Sequence, residues 1–261
     1  MSENVRKPLI LAVETSGRMG SAAVAVGGQV LAEKTFSGPM RHNAELFPAV
    51  CGLLGAAGHR ANEIEQIYIS VGPGSFTGLR IAVTMAKIMN LAESVKIVAV
   101  DTLDVIAANA SDYVEQEKAD IERIAAVLDA KRGQFFIAAY SPCCALGAAG
   151  QRRKCRWEKV LADSLMSVSQ FFQWFALNQS GSGFAGSAKP LWLLGEGLVY
   201  YREKFAAEGI EFLPERYWVP TAKKVHLLGW ERALAGEFAD AKTLEPNYLR
   251  LPDVGKKVAF S

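Results

Sequence analysis

The chain has 261 residues, half of them hydrophobic and 21% charged, which excludes an intrinsically disordered protein and supplies apolar surface for one large core or two smaller ones. Its 29 Lys and Arg against 27 Asp and Glu leave a formal charge of +2, so no long-range field recruits nucleic acid or an anionic membrane, and any such contact must be a local patch. Four cysteines, Cys51, Cys143, Cys144 and Cys155, form no C-x-x-C pair, which sets aside a zinc ribbon or a disulfide framework.

In chain order, residues 1–8 are polar and lead into a short apolar run, unlike the long apolar region of a secretory leader. No window reaches the roughly 18 apolar residues of a membrane span, so a cytoplasmic globular protein without a membrane segment is expected. Residues 9–14 (LILAVE), 21–26 and 29–36 are separated by small polar turns and read as a three-stranded antiparallel meander. From 42 to 58 the period becomes helical, with Leu46, Val50, Leu53, Leu54 and Ala57 on one stripe and Gly58 as the stop. Asn43 is the expected cap of that helix, with Glu45 favouring its dipole. A strand at 67–71, a helix at 78–92 and a strand at 95–100 follow, and this order predicts a mixed sheet with helices packed on it.

The second half begins again. Residues 124–129 (IAAVLD), a tight turn and residues 134–140 repeat the opening strand, its terminal acid and the second strand, at a spacing of about 115 residues. Two like-folded lobes are expected. All five tryptophans lie past position 150, so the second core is built differently. Residues 180–188 read as a Gly/Ser loop, and 221–238 as a closing amphipathic helix carrying Val225, Leu228, Ala233 and Leu234.

The strongest local feature is VGPGSFTGLR at 71–80, between a strand and a helix. Its glycines suit a sharp turn that presents backbone amides at a helix N-terminus, where phosphates are held. It fits neither the Walker A loop, because Leu79-Arg80 replaces Lys-Ser/Thr, nor the dinucleotide fingerprint, because Thr77 stands where Gly or Ala is needed. Close helix-to-strand packing explains the glycines equally well. Glu14-Thr15-Ser16 at a strand end could hold a metal-bound water or meet a phosphate, or be a capped turn, and Asp129 carries the same two readings.

In the helix after the loop, Arg80, Thr84 and Lys87 form one narrow polar stripe and nearly everything else is apolar. Ala82, Met85, Ala86 and Met89 suit close packing against the helix at 42–58 or a helix from a partner chain. His42, His59 and His226 show no H-E-x-x-H pattern, and no G-x-S-x-G elbow is present, which disfavours metallohydrolase and serine-hydrolase chemistry. Arg152, Arg153, Lys154 and Arg156, next to Trp157, make the only dense basic cluster and are the candidates for RNA contact, although most such runs are solvated hairpins.

ILAVETS at 10–16, HNAELFP at 42–48, ISVGPGSFTGLRIAV at 69–83, VAVDTLDVIA at 98–107, LDAKRGQ at 128–134 and PNYLR at 246–250 together resemble, in order and spacing, the TsaB (YeaZ) family. The likeness is poorest between 142 and 189. It implies an α/β, actin-like ATPase (ASKHA) fold of two RNase-H-like lobes, each a mixed sheet flanked by helices. The domains would be 1–107, carrying the glycine loop and the partner helices, a smaller divergent lobe at 108–220, and a closing helix and tail at 221–261.

The resemblance further implies a noncatalytic scaffold. It would work with a TsaD-like catalytic subunit, a TsaE-like ATPase and TsaC in threonylcarbamoylation of the adenosine beside the anticodon of tRNAs that read codons beginning with A. TsaD-like proteins carry a metal-binding histidine pair shortly after the strand that ends here at Val100. This chain has Asp101-Thr102-Leu103-Asp104-Val105-Ile106 there, and no histidine. On this reading no metal and no cofactor is required, and a glycoprotease-like metallopeptidase is disfavoured. Leu46, Val50, Leu53, Ala82, Met85 and Met89 are the expected face for TsaD pairing, or for a homodimer when the chain is alone, with tRNA met through the complex. The competing reading is a weak ATPase that holds ATP or ADP with magnesium through Glu14, Thr15, Ser16, Gly72, Gly74, Thr77 and Asp129.

Overall fold

The computed structural model describes residues 7–38, 41–143, 156–179 and 189–250. The first lobe is built on β1 (Leu9–Glu14), β2 (Ser21–Val26), β3 (Gln29–Thr35), β4 (Ile64–Gly72) and β5 (Lys96–Asp101), with α1 (His42–Ala56) and α2 (Phe76–Glu93). Next come α3 (Thr102–Ala107) and α4 (Asn109–Glu117). The second lobe holds β6 (Ile124–Asp129), β7 (Gln134–Cys143), β8 (Arg156–Ser167), α5 (Val168–Gln179), β9 (Leu191–Leu194), α6 (Leu198–Tyr201) and β10 (Ile210–Phe212), and α7 (Ala222–Leu234) follows.

The sheet orders are β3-β2-β1-β4-β5 and β10-β9-β6-β7-β8. In each, the first strand pairs antiparallel with the second and parallel with the fourth. The two lobes are therefore the same mixed sheet built twice, as expected for a pair of RNase-H-like lobes. Glu14 pairs with Ser21 at the end of one hairpin and Asp129 with Phe135 at the end of the other.

Period-two alternation divides the first lobe into two cores. Leu9, Leu11 and Val13 face one side together with Leu46, Val50, Leu53, Ala82 and Met85 from α1 and α2. Ile10 and Ala12 face the other, against Ala222 and Val225 of α7. So α7 returns from the end of the second lobe to cover the first sheet, and α3 sits at the joint, giving Val105 to the first lobe's core and Leu103 and Ile106 to the second's.

The cap of α1 differs from the expectation. The N-cap position is Arg41, without a side-chain cap, and Asn43 is exposed. Glu45 ties down the entering chain instead: its carboxylate accepts from Ser37 N–H at 2.7 Å and pairs with Arg41 at 2.8 Å. Those Ser37 bonds hold the Glu45 carboxyl below its usual range. Cys51 and Cys143 are free thiols, while Cys144 and Cys155 lie outside the described residues. Among the described residues no helix is long and apolar enough to cross a membrane.

His226 of α7 is buried, with Nε2 against Gly27 O at 2.8 Å and its ring stacked on Tyr68. Burial pushes its pKa below the ordinary 6.5. The unfolded chain then takes up the proton first, so this contribution to stability is intact above pH 6.5 and is lost as pH falls below it. In urea denaturation between pH 6.5 and 5, His226→Gln is expected to flatten the loss of stability by up to about 1.4 kcal/mol per pH unit. An unchanged slope would mean that the imidazole takes up its proton equally in the folded and unfolded chain.

Candidate functional site

The turn after β1 is organised by Glu14, whose side chain is fully buried. One carboxylate oxygen accepts from Ser16 N–H at 2.6 Å, Gly17 N–H at 3.3 Å and the Ser16 hydroxyl. The other accepts from the hydroxyl of Ser70 on β4. Burial raises the Glu14 carboxyl above its usual range, and the hydrogen bonds from Ser16 and Ser70 act against that shift.

The glycine loop packs directly on this turn. Ser75 N–H donates to Ser16 O at 2.7 Å, and the Thr15 hydroxyl donates to Gly78 O at 2.7 Å. A Cβ at Gly74 would strike Ser16 O, and one at Gly78 would strike Thr15 O, both far inside 3.0 Å. Gly72 has φ +119°, and a Cβ there would lie 2.7 Å from Asn247 O. Ser75 caps α2, its Oγ accepting from Gly78 N–H at 3.3 Å. These glycines are explained by close approach of backbone to backbone.

The polar groups of the first-lobe turn are bonded within the chain. Both oxygens of Glu14 are already accepting, and the amides of Ser16, Gly17 and Ser75 are satisfied within the chain. The second lobe repeats the device. Asp129 accepts from Lys131 N–H at 2.7 Å and pairs with Lys131 Nζ at 2.6 Å. Among the described residues no group of three or more His, Cys, Asp or Glu is placed to hold a metal ion.

Between the two turns lies a cleft of about 870 Å³. Ser16, Gly74 and Thr77 line it from the first lobe and Asp129 from the second, so these members of the proposed nucleotide set do converge on one cavity. Glu196, which the sequence reading missed, closes the floor. Its Oε2 accepts from Arg18 N–H at 2.8 Å, and Gly17 has no side chain because its Cβ would lie 2.6 Å from that oxygen. Burial raises the Glu196 carboxyl, and the bond from Arg18 opposes this. The signal available was an acid flanked by Gly195 and Gly197 just after the apolar run at 191–194.

The outward surface of α1 and α2 falls on other residues than the stripe read from periodicity. Leu46, Val50, Leu53, Ala82 and Met85 are buried in the core and Met89 is half-buried, because the most apolar stripe of each helix faces its own sheet. What faces outward is Phe47 (57% exposed), Ile88 (59%) and Leu91 (88%), with the polar stripe of Arg80 and Thr84. Cys51, Gly52 and Gly55 are also exposed, and a Cβ on either glycine would meet nothing within 4 Å.

Asp101 at the end of β5 and Asp104 in α3 belong to an ion network at the joint of the lobes. Lys159 Nζ lies 2.8 Å from Asp104 Oδ1, Arg232 Nη2 lies 3.4 Å from Asp104 Oδ2 and 3.7 Å from Asp101 Oδ2, and Tyr140 donates to Asp104 at 2.9 Å. Of the basic cluster, Arg156 pairs with Glu231 at 2.9 Å, while Arg152, Arg153 and Lys154 lie outside the described residues.

A protein-family profile described as "TsaD: tRNA N6-adenosine threonylcarbamoyltransferase" matches residues 6–248. The tRNA threonylcarbamoyladenosine biosynthesis protein TsaB of Bacillus subtilis is 26% identical, over 95% of this chain and 96% of its own length. The Escherichia coli protein of the same name is 30% identical over 50% of this chain and 54% of its own length. A solved structure of YeaZ from Pseudomonas aeruginosa superposes with a TM-score of 0.69 at 24% identity, covering 92% of this chain and 99% of that one. With one fold, one family profile and the ordered motifs in agreement, the chain belongs to this threonylcarbamoyltransferase family, on its TsaB (YeaZ) side.

Proposed function

We propose that the chain is a noncatalytic scaffold in tRNA threonylcarbamoyladenosine synthesis. It holds a TsaD-type catalytic subunit on the outward face of α1 and α2, with a TsaE-type ATPase joining the pair, a TsaC-type enzyme supplying the activated group, and tRNA met through the assembly. In this reading residues 1–107 form the partner-binding lobe, 108–220 the second lobe and 221–261 the closing element. Without the partner, a second copy of the chain takes the same face.

The observation that carries the reading is the pairing of Phe47, Ile88 and Leu91 with Gly52 and Gly55. A glycine inside an exposed helix costs roughly 0.5–1 kcal/mol relative to alanine, and nothing among the described residues requires one at either position. Small residues at both positions let a second helix pack close against α1. The turns at Glu14 and Asp129, whose carboxylates accept from amides of their own turns, support the noncatalytic part.

Reconstitution with and without the chain tests this. TsaD-, TsaE- and TsaC-type proteins, ATP and unmodified tRNA are expected to yield the modified nucleoside by mass spectrometry only when the chain is added. Full activity in its absence, or modification by the chain alone, would overturn the scaffold reading.

A further inference from the structure

The segment at 244–250 runs from one lobe to the other. Leu244 is buried in the first lobe's core, and Asn247 N–H donates to Val71 O at 2.6 Å. Tyr248 stacks on Phe76 with centroids 4.6 Å apart, and its hydroxyl accepts from Arg80 Nε at 3.1 Å. The Arg80 guanidinium also lies 3.9 Å over the Phe76 ring. Two residues on, the strap has crossed. Leu249 packs on the second lobe's core, and Arg250 Nη1 donates to Ala130 O at 2.6 Å and to Lys131 O at 3.3 Å.

Arg80 is thus shared between two surfaces. Its side chain holds Tyr248 at the mouth of the cleft, yet its position is on the outward stripe of α2, in line with Thr84, Ile88 and Leu91. A helix seated on that stripe desolvates Arg80 and competes for its donors. Whatever it withdraws from Tyr248 loosens the strap, and with it the bonds of Arg250 to the second-lobe turn. We propose that Arg80, Tyr248 and Arg250 form a mechanical link through which a protein partner on the α1/α2 face is felt at the turn 129–133, on the far side of the cleft. The inference rests on the scaffold reading for the partner's identity. The link itself is a property of the free chain.

Hydrogen exchange on the full chain reads it at the second-lobe hairpin, where Ala130 N–H bonds to Gln134 O at 2.9 Å and Gln134 N–H to Lys131 O at 3.1 Å. Arg250→Ala is expected to raise exchange at 130–134 at least about fivefold, and Arg80→Ala to do the same although Arg80 touches only Phe76 and Tyr248 in this region. Tyr248→Phe, which keeps the stacking and loses the acceptor, is expected to lie between Arg80→Ala and wild type. If Arg80→Ala changes only 76–80 and 247–250, or raises exchange uniformly across the molecule, the link does not exist. Adding a TsaD-type subunit to the wild-type chain is expected to protect α1 and α2 while raising exchange at 130–134. Light scattering reports separately whether the complex forms. A failed complex counts against the scaffold reading, whereas a formed complex with 130–134 unchanged counts against the strap.

Discussion

Gly78→Ala is expected to leave the chain unable to hold its first lobe together, with a loss of at least about 4 kcal/mol in urea or thermal denaturation. The added methyl would occupy the place of the Thr15 carbonyl, and neither side can yield. Gly78 sits in the first turn of α2, and Thr15 is held by its own hydroxyl bond to Gly78 O, with Ser16 beside it held by Glu14. Moving one moves the helix off the sheet and uncovers Ala82, Met85 and Ala86. Ser75→Ala in the same loop removes only the cap, and about 1 kcal/mol is the expected loss. A Gly78→Ala protein that melts within a few degrees of wild type would show that the loop is held apart from the strand turn, and the close-packing account of the glycines would fail.

The second large effect separates folding from assembly. The Ile88→Asp, Leu91→Asp double variant is expected to keep the wild-type melting temperature within experimental scatter, because both side chains are more than half exposed. It is expected to weaken pairing with a TsaD-type subunit by about 100-fold or more, roughly 2.7 kcal/mol, as two charges are placed in a helix seam. Met85→Asp and Ala82→Arg act on the opposite side of the same helix, where they put a charge into the core and unfold the lobe. Unaltered affinity of the double variant, measured by titration calorimetry, would remove the outward face of α2 from the interface.

Much of the fold is legible because the first 140 residues obey simple periods. The meander, α1, α2, β5 and the restart at 124–129 each show their period over the length of one element, and the register of two hairpins then places Glu14 and Asp129 alike. The face of the helices was not legible in the same way. Hydrophobicity marks the side that meets the sheet most strongly, so Leu46, Val50 and Met85 announce the core, and the outward side shows only as scattered Phe47, Ile88 and Leu91. β8 was missed because Val160, Leu161 and Leu165 are interrupted by charged residues along an edge strand. Glu196 and the strap were missed for another reason: their roles depend on backbone atoms of residues more than a hundred positions away, Arg18 for the one and Ala130 for the other.

Gly52 and Gly55 set two demands on this molecule against each other. A bulkier residue at either site would make the solitary chain sturdier, since the helix gains order and meets no obstacle. The same change would keep a neighbouring helix at arm's length. The lone chain forgoes that order at two positions, and what it keeps is open room along α1 where the proposed partner would lie.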